Sequence, residues 1–168
     1  KNLETLDLSE NRIHLNDVSA AQLASMSSLK RLELGFNPEL GRCPDVSRLS
    51  HLEHLGLRDT AINEWPRGTV GLPKLKTLDL RDNRIEYVPQ NVLVSSDLLN
   101  HGTDIRGNPL SADSLGRLSK YQQLNEISIG LISAGERDLV ARVLVDVSMS
   151  SIWLTGVTGQ TLLTRRHM

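Results

Sequence analysis

Cys43-Pro44-Asp45 sets a thiol two residues from a carboxylate, the residue types that a cysteine nucleophile and an acid–base partner would need. Such a nucleophile reacts as the thiolate, so its surroundings must lower the thiol pKa. The local sequence supplies no such setting, and the triplet falls in the return segment of a repeat. The expectation is a small packed residue rather than a catalyst. The histidines are His14, His51, His54, His101 and His167, with no His-Glu-x-x-His among them. His51 and His54 stand three apart on an expected strand, which turns them to opposite faces and separates them as metal ligands. Gly156-Val157-Thr158-Gly159 lacks the lysine and the spacing of a phosphate loop. No catalytic residue, cofactor or metal site is therefore expected. The formal net charge of -1 also argues against a general binder of nucleic-acid backbones, which needs a basic excess.

The chemistry left to the chain is charge at recurring positions, and recurrence implies a repeated element that positions it. Leu3-x-x-Leu6-x-Leu8-x-x-Asn11-x-Ile13 returns as Leu29-x-x-Leu32-x-Leu34-x-x-Asn37. It returns again as Leu52-x-x-Leu55-x-Leu57-x-x-Thr60-x-Ile62 and as Leu75-x-x-Leu78-x-Leu80-x-x-Asn83-x-Ile85. A degenerate fifth copy ends in Ile105-x-x-Asn108-x-Leu110, with Asn100 and Thr103 where leucines would stand, so a weak or irregular strand is expected there.

Leu-x-Leu alternation predicts a short strand with both leucines on one side. The asparagine amide can satisfy backbone groups that the following turn leaves unpaired. Thr60 can do only part of this, so the third turn is expected to be looser. One coil cannot bury its own leucines, but stacked coils can. Successive strands then pair in parallel and line a concave face. The returns differ. Residues 17–27 have helical spacing at Val18, Leu23 and Met26. Residues 41–50 predict extended or 3₁₀ backbone. Trp65-Pro66 and Val88-Pro89 predict irregular coil, because proline fixes φ and removes a donor. With nothing before Lys1, the first strand is expected to be an open edge.

On the concave face the position between the strand leucines reads Asp7, Glu33, Gly56, Asp79 and Asp104, nearly an acidic column. The position after the second leucine reads Ser9, Gly35, Arg58, Arg81 and Arg106, and the next reads Glu10, Phe36, Asp59, Asp82 and Gly107. Arg31 and His54 flank the leucines on the same face. Two readings stay open: a solvated face whose Arg and Asp pair with each other, at about 0–1 kcal/mol each, or a charge-patterned protein-binding site. In the second, the partner-binding residues are Asp7, Arg31, Glu33, Phe36, His54, Arg58, Asp79, Arg81, Asp104 and Arg106, with Phe36 as an apolar anchor.

These motifs resemble leucine-rich-repeat proteins over roughly residues 1–110. Ile105-Arg106-Gly107-Asn108-Pro109-Leu110-Ser111, followed by a polar helix ending near Tyr121, is similar to the last repeat of bacterial leucine-rich-repeat ubiquitin-ligase effectors. Trp153-Leu154-Thr155-Gly156 with Arg165-Arg166 is reminiscent of where the helical catalytic domain of that family begins. That domain carries a Cys-x-Asp nucleophile; Cys43-Pro44-Asp45 lies in the wrong place for it. The resemblance implies a substrate-selecting module secreted by a bacterium and acting in the host cytoplasm on a host protein; without it, a cytoplasmic chain is expected. The single cysteine and the lack of an Asn-x-Ser/Thr acceptor suit a reducing compartment or a bacterial source. An alternative role is a scaffold that restrains a downstream catalytic domain.

The fold class expected is an α/β leucine-rich-repeat solenoid with a helical C-terminal extension, repeats over 1–110 and a cap or following domain over 111–168. Ser111 to about Gln123 predicts a capped helix. Ile127, Ile129 and Leu131 alternate as a strand would. Ser133-Ala134-Gly135-Glu136 leads into an amphipathic helix to Val147, and residues 156–168 predict a poorly packed tail. No run of about 18 apolar residues occurs, so no membrane span is expected. The opening at Lys1-Asn2 suggests a piece of a longer protein, one that recognises a protein partner rather than catalysing a reaction.

Overall fold

The structure, a computed structural model, describes residues 2–94 and 102–125, all within one compact unit over Lys1–Leu131. The element order is β1 (Thr5–Asp7), α1 (Asp17–Ala24), β2 (Arg31–Glu33), β3 (His54–Gly56), β4 (Thr77–Asp79), β5 (Thr103–Asp104) and α2 (Ala112–Asn125), with 3₁₀ turns at Thr69–Gly71 and Gln90–Val94. The five strands pair in sequence order, all parallel. Register runs Leu6↔Leu32↔Leu55↔Leu78↔Thr103 on the inward side, as the repeat requires. Leu29, Leu32, Leu34, Leu52, Leu57, Leu78 and Leu80 are all at most 1% exposed, so the leucines form one shared spine. This is the leucine-rich-repeat solenoid with a helix near the C-terminal end of the described residues.

The turn after each strand shows why asparagine recurs. The Asn37 amide nitrogen donates to Leu34 O at 2.8 Å in its own coil and to Leu8 O at 3.0 Å in the coil before; its oxygen accepts from the Ile13 N–H. Asn108 does the same for Ile105 O, Leu80 O and the Ile85 N–H. The third turn is not looser, contrary to expectation. Thr60 is 1% exposed and donates to Leu57 O, while Asn83 of the next coil reaches back to Leu57 O at 2.7 Å and accepts from the N–H groups of Thr60 and Ile62. A neighbour supplies what threonine lacks.

Other local expectations need correction. The helix ends at Ala24 and buries Ala20 and Leu23, whereas Val18 is 67% exposed: an eight-residue helix has room for only a narrow inward face. Asn16 caps it, accepting from the Ser19 N–H. Trp65-Pro66 and Val88-Pro89 are each followed by a 3₁₀ turn rather than plain coil, and the Trp65 indole donates to Thr69 Oγ1 at 2.9 Å to close the first. His51 lies in the turn before β3, not on a strand. Residues 41–50, expected to be extended or 3₁₀, form turns and irregular backbone with no 3₁₀ helix.

β5 is only two residues long, yet its ladder to β4 continues. Leu78 and Leu80 N–H donate to Gly102 O and Asp104 O, and Thr103 occupies the leucine slot, 4% exposed. α2 starts at a Ser111 cap and docks through Ser114 Oγ, which donates to Glu86 O and accepts from the Val88 N–H. Leu118 is buried and Arg117 lies over the Tyr87 ring. At the other end β1 is an edge among the described strands: Leu3 is 50% exposed and Leu6 and Leu8 are half-buried. The expected strand at Ile127–Leu131, the helix to Val147, the tail over 156–168, and Asn100, His101, Trp153 and His167 lie outside the described residues.

Candidate functional site

Because inward leucines fix the pleat, their neighbours must point to the other face of the sheet. Strand pairing places Asp7, Glu33, Gly56, Asp79 and Asp104 in one row, and Thr5, Arg31, His54 and Thr77 in the row beside it. The backbone ladder carries on beyond the strands. Glu10 N–H donates to Gly35 O, Phe36 N–H to Arg58 O, Asp59 N–H to Arg81 O and Asp82 N–H to Arg106 O, each at 2.7–3.0 Å. All ten residues expected on this face are exposed or half-exposed there. The row of Glu10, Phe36, Asp59, Asp82 and Gly107 shares one backbone state: each has positive φ, between 51° and 75°. Four of these are acids or glycine; Phe36 is the aromatic exception, 41% exposed.

The charges are largely internally matched. Arg81 grips Asp79 at 2.5 Å and lies 3.7 Å from Asp104, and Arg106 grips Asp104 at 2.6 Å. Arg58 donates to Asp82 at 2.8 Å and stacks 5.3 Å from the centre of the Phe36 ring. Arg31 holds Glu33 at 2.8 Å. The His54 Nδ1 and Thr77 Oγ1 atoms are 2.6 Å apart. Asp7 accepts from the Ser9 N–H and hydroxyl, which hold its pKa below the usual carboxylate range. Asp79 is also held low: burial pushes it up, but the hydrogen bonds and charge of Arg81 outweigh that, and Arg81 is raised in turn. Glu33 goes the other way, pushed up by burial more than Arg31 pulls it down. Its carboxylate folds over Gly56, where a Cβ would stand 1.6 Å from Oε2. Glycine there makes the niche.

Glu10 and Asp59 were not among the expected site residues, although they border Phe36. Charge type alone did not mark them out; the shared turn position just before the asparagine slot is the signal that groups them.

On the return side a cavity of about 580 Å³ is lined by residues that include Ala20, Ala21, Arg42, Cys43, Glu64 and Arg67. The thiol on its lining resists ionisation. Burial, then the charges of Glu64 and Asp45, push the Cys43 pKa up to about 12 despite Arg67. Among the described residues no group of three or more His, Cys, Asp or Glu side chains could hold a metal ion, and no helix is long and apolar enough to cross a membrane.

Two stretches match family models, both described as leucine-rich repeat: residues 2–24, the first coil through the end of α1, and residues 71–88, the fourth coil. The disease resistance protein UNI of Arabidopsis thaliana is 31% identical over 140 residues, covering 80% of this chain. The chain spans only 16% of the length of that relative. No solved structure matches the chain.

Proposed function

We propose that this leucine-rich-repeat protein is the protein-recognition segment of a longer polypeptide and binds its partner on the outward face of the five-stranded sheet. The observation that carries the reading is that face itself. It is a regular, exposed or half-exposed array of charged side chains with an exposed aromatic ring among them, on a scaffold whose strand leucines from Leu32 to Leu80 are buried behind it. Rigid rows of this kind hold side chains in place before a partner arrives, so little ordering cost remains on binding.

Arg58→Glu combined with Arg81→Glu tests it. The double variant should keep its circular dichroism spectrum and shift capture of the partner at least tenfold, because it reverses charge across the face, whereas Arg48→Glu on a return segment should leave capture unchanged. Equal capture by the double variant removes this face, and failure of the wild-type chain to capture any protein removes the reading.

The finer assignment follows what the relative's name supports: recognition within a disease-resistance protein, carried by an alignment of 140 residues. A second reading, the substrate-selecting part of a secreted bacterial ubiquitin-ligase effector acting on a host protein, is favoured by Ile105–Ser111 leading directly into α2. The parent sequence decides between them, since a downstream helical domain with a Cys-x-Asp nucleophile belongs to the second alone.

A further inference from the structure

We infer that the outward face of the sheet takes a partner segment of net positive charge, seating a lysine or arginine side chain against Phe36 between Glu10 and Asp59. This rests on the recognition reading and adds the chemistry of the partner.

Over its five coils this face presents seven carboxylates, Asp7, Glu10, Glu33, Asp59, Asp79, Asp82 and Asp104, against four guanidinium groups, Arg31, Arg58, Arg81 and Arg106: seven minus four leaves three uncompensated negative charges. The pairing shows where they lie. Arg31 is held by Glu33, Arg58 by Asp82, Arg81 by Asp79 and Arg106 by Asp104. The basic column is thus spent inside the face. Asp7, the first of the three, accepts hydrogen bonds from the neutral Ser9 and forms no ion pair among the described residues. Glu10 and Asp59 form no ion pair among the described residues, and both are exposed.

Those two groups flank Phe36. The ladder of Glu10, Phe36 and Asp59 onto the next coil each time puts the three in neighbouring register, about 4.8 Å per step. One side of the ring carries Arg58; the ring remains 41% exposed. An aromatic face is negative, and with two carboxylates beside it the site favours an ammonium or guanidinium group. An acidic segment would be repelled there. A neutral apolar one would bury Glu10 and Asp59 without a counter-charge, which is costly.

The test is selection of a displayed random ten-residue peptide library on the 168-residue chain, followed by affinity measurement of the enriched peptides. Enrichment of peptides with Lys or Arg beside apolar residues is expected. Glu10→Gln with Asp59→Asn should weaken those peptides about tenfold, and Phe36→Leu should do likewise while keeping an apolar side chain. Both variants should melt as the parent does, since amides preserve size and asparagine tolerates positive φ. Enriched peptides that are neutral or acidic, yet sensitive to Arg58→Glu with Arg81→Glu, overturn the inference and leave the recognition reading standing. Peptides insensitive to every face variant, or no enrichment at all, overturn both.

Discussion

At the scale of single residues the asparagine column holds more than its share of the structure, because the amides of Asn37, Asn83 and Asn108 satisfy backbone groups in two coils. Asn83 is 6% exposed and bonds Leu57 O, Leu80 O and Arg81 O while accepting from Thr60 and Ile62. Asn83→Ala strands several of these in a buried turn, at about 1–3 kcal/mol for each group left unpaired. We expect a total loss of about 3–5 kcal/mol in urea unfolding. Asn11→Ala should lose under about 1 kcal/mol, since Asn11 is exposed and bonds only Leu8 O and Ser9 O of its own coil, where water can substitute. Ala61 is strained without such compensation: its φ is 58°, and its side chain offers no local hydrogen bond. Ala61→Gly should stabilise by about 0.5–1 kcal/mol, the left-handed penalty less the entropy that glycine loses. Glu33 makes a prediction of opposite sign to ordinary carboxylates. Its folded pKa is raised by burial, so its contribution to stability is present at pH values below the unfolded value and is lost as pH rises through the folded one. Asp7, Asp45 and Asp79 are lowered, so theirs is lost as pH falls. Glu33→Gln should leave the melting temperature at pH 7 unchanged or higher and should steepen the loss of stability on acidification. A marked loss at pH 7 would mean that the Arg31 pair outweighs burial.

At the scale of elements, strands of three residues are too short to be stable alone and exist through stacking. Leu55, 2% exposed between Leu32 and Leu78, therefore matters far more than its strand's length suggests. Leu55→Ala should cost about 3–5 kcal/mol, and Leu3→Ala, at 50% exposure, under about 1 kcal/mol. Chemical denaturation of the two variants measures the contrast, and equal losses would refute the stacked spine. The same physics explains what was legible in the sequence. Strand positions, register and outward rows could be read because one slot repeats one residue type, so Leu6, Leu32, Leu55 and Leu78 announce one another. The return segments could not. Val18 has helical spacing but faces out, because the neighbouring coil needs only Ala20 and Leu23. The closure of the third turn depends on Asn83, which no local window around Thr60 contains. At the candidate site the columns were readable, but the choice of Asp82 rather than Asp59 as the acceptor for Arg58 was not, because it depends on side-chain reach across coils. That choice is what leaves Asp59 uncompensated beside Phe36.

At the scale of the whole molecule, a stack of coils has a stability close to a sum of nearest-neighbour interfaces, so position in the stack should govern local opening. β1 pairs with β2 alone among the described strands, and β3 pairs with both β2 and β4. The first coil is also the least buried, with Leu6 and Leu8 half-exposed against Leu55 and Leu57 at no more than 2%. Opening it breaks one interface; opening the third coil breaks two. In the 168-residue chain the amides of Leu8 and Glu10, which donate to Glu33 O and Gly35 O, should exchange about 100-fold faster than those of Leu57 and Asp59, which donate to Asp79 O and Arg81 O, after correction for intrinsic rates. That ratio corresponds to about 2.7 kcal/mol. Equal protection would show that the coils open only together and that nearest-neighbour additivity fails here. The gradient also bears on binding, since Glu10 sits in the first coil and Asp59 in the third. A basic ligand that spans them binds only when both coils are folded, so at 100 times its Kd it should slow exchange at Leu8 and Glu10 by about 100-fold. Exchange at Leu57 and Asp59 should slow by a similar factor, because opening the third coil also breaks the seat. A ligand that protects the third coil alone would place the contact at Asp59 without Glu10 and would narrow the seat to one carboxylate.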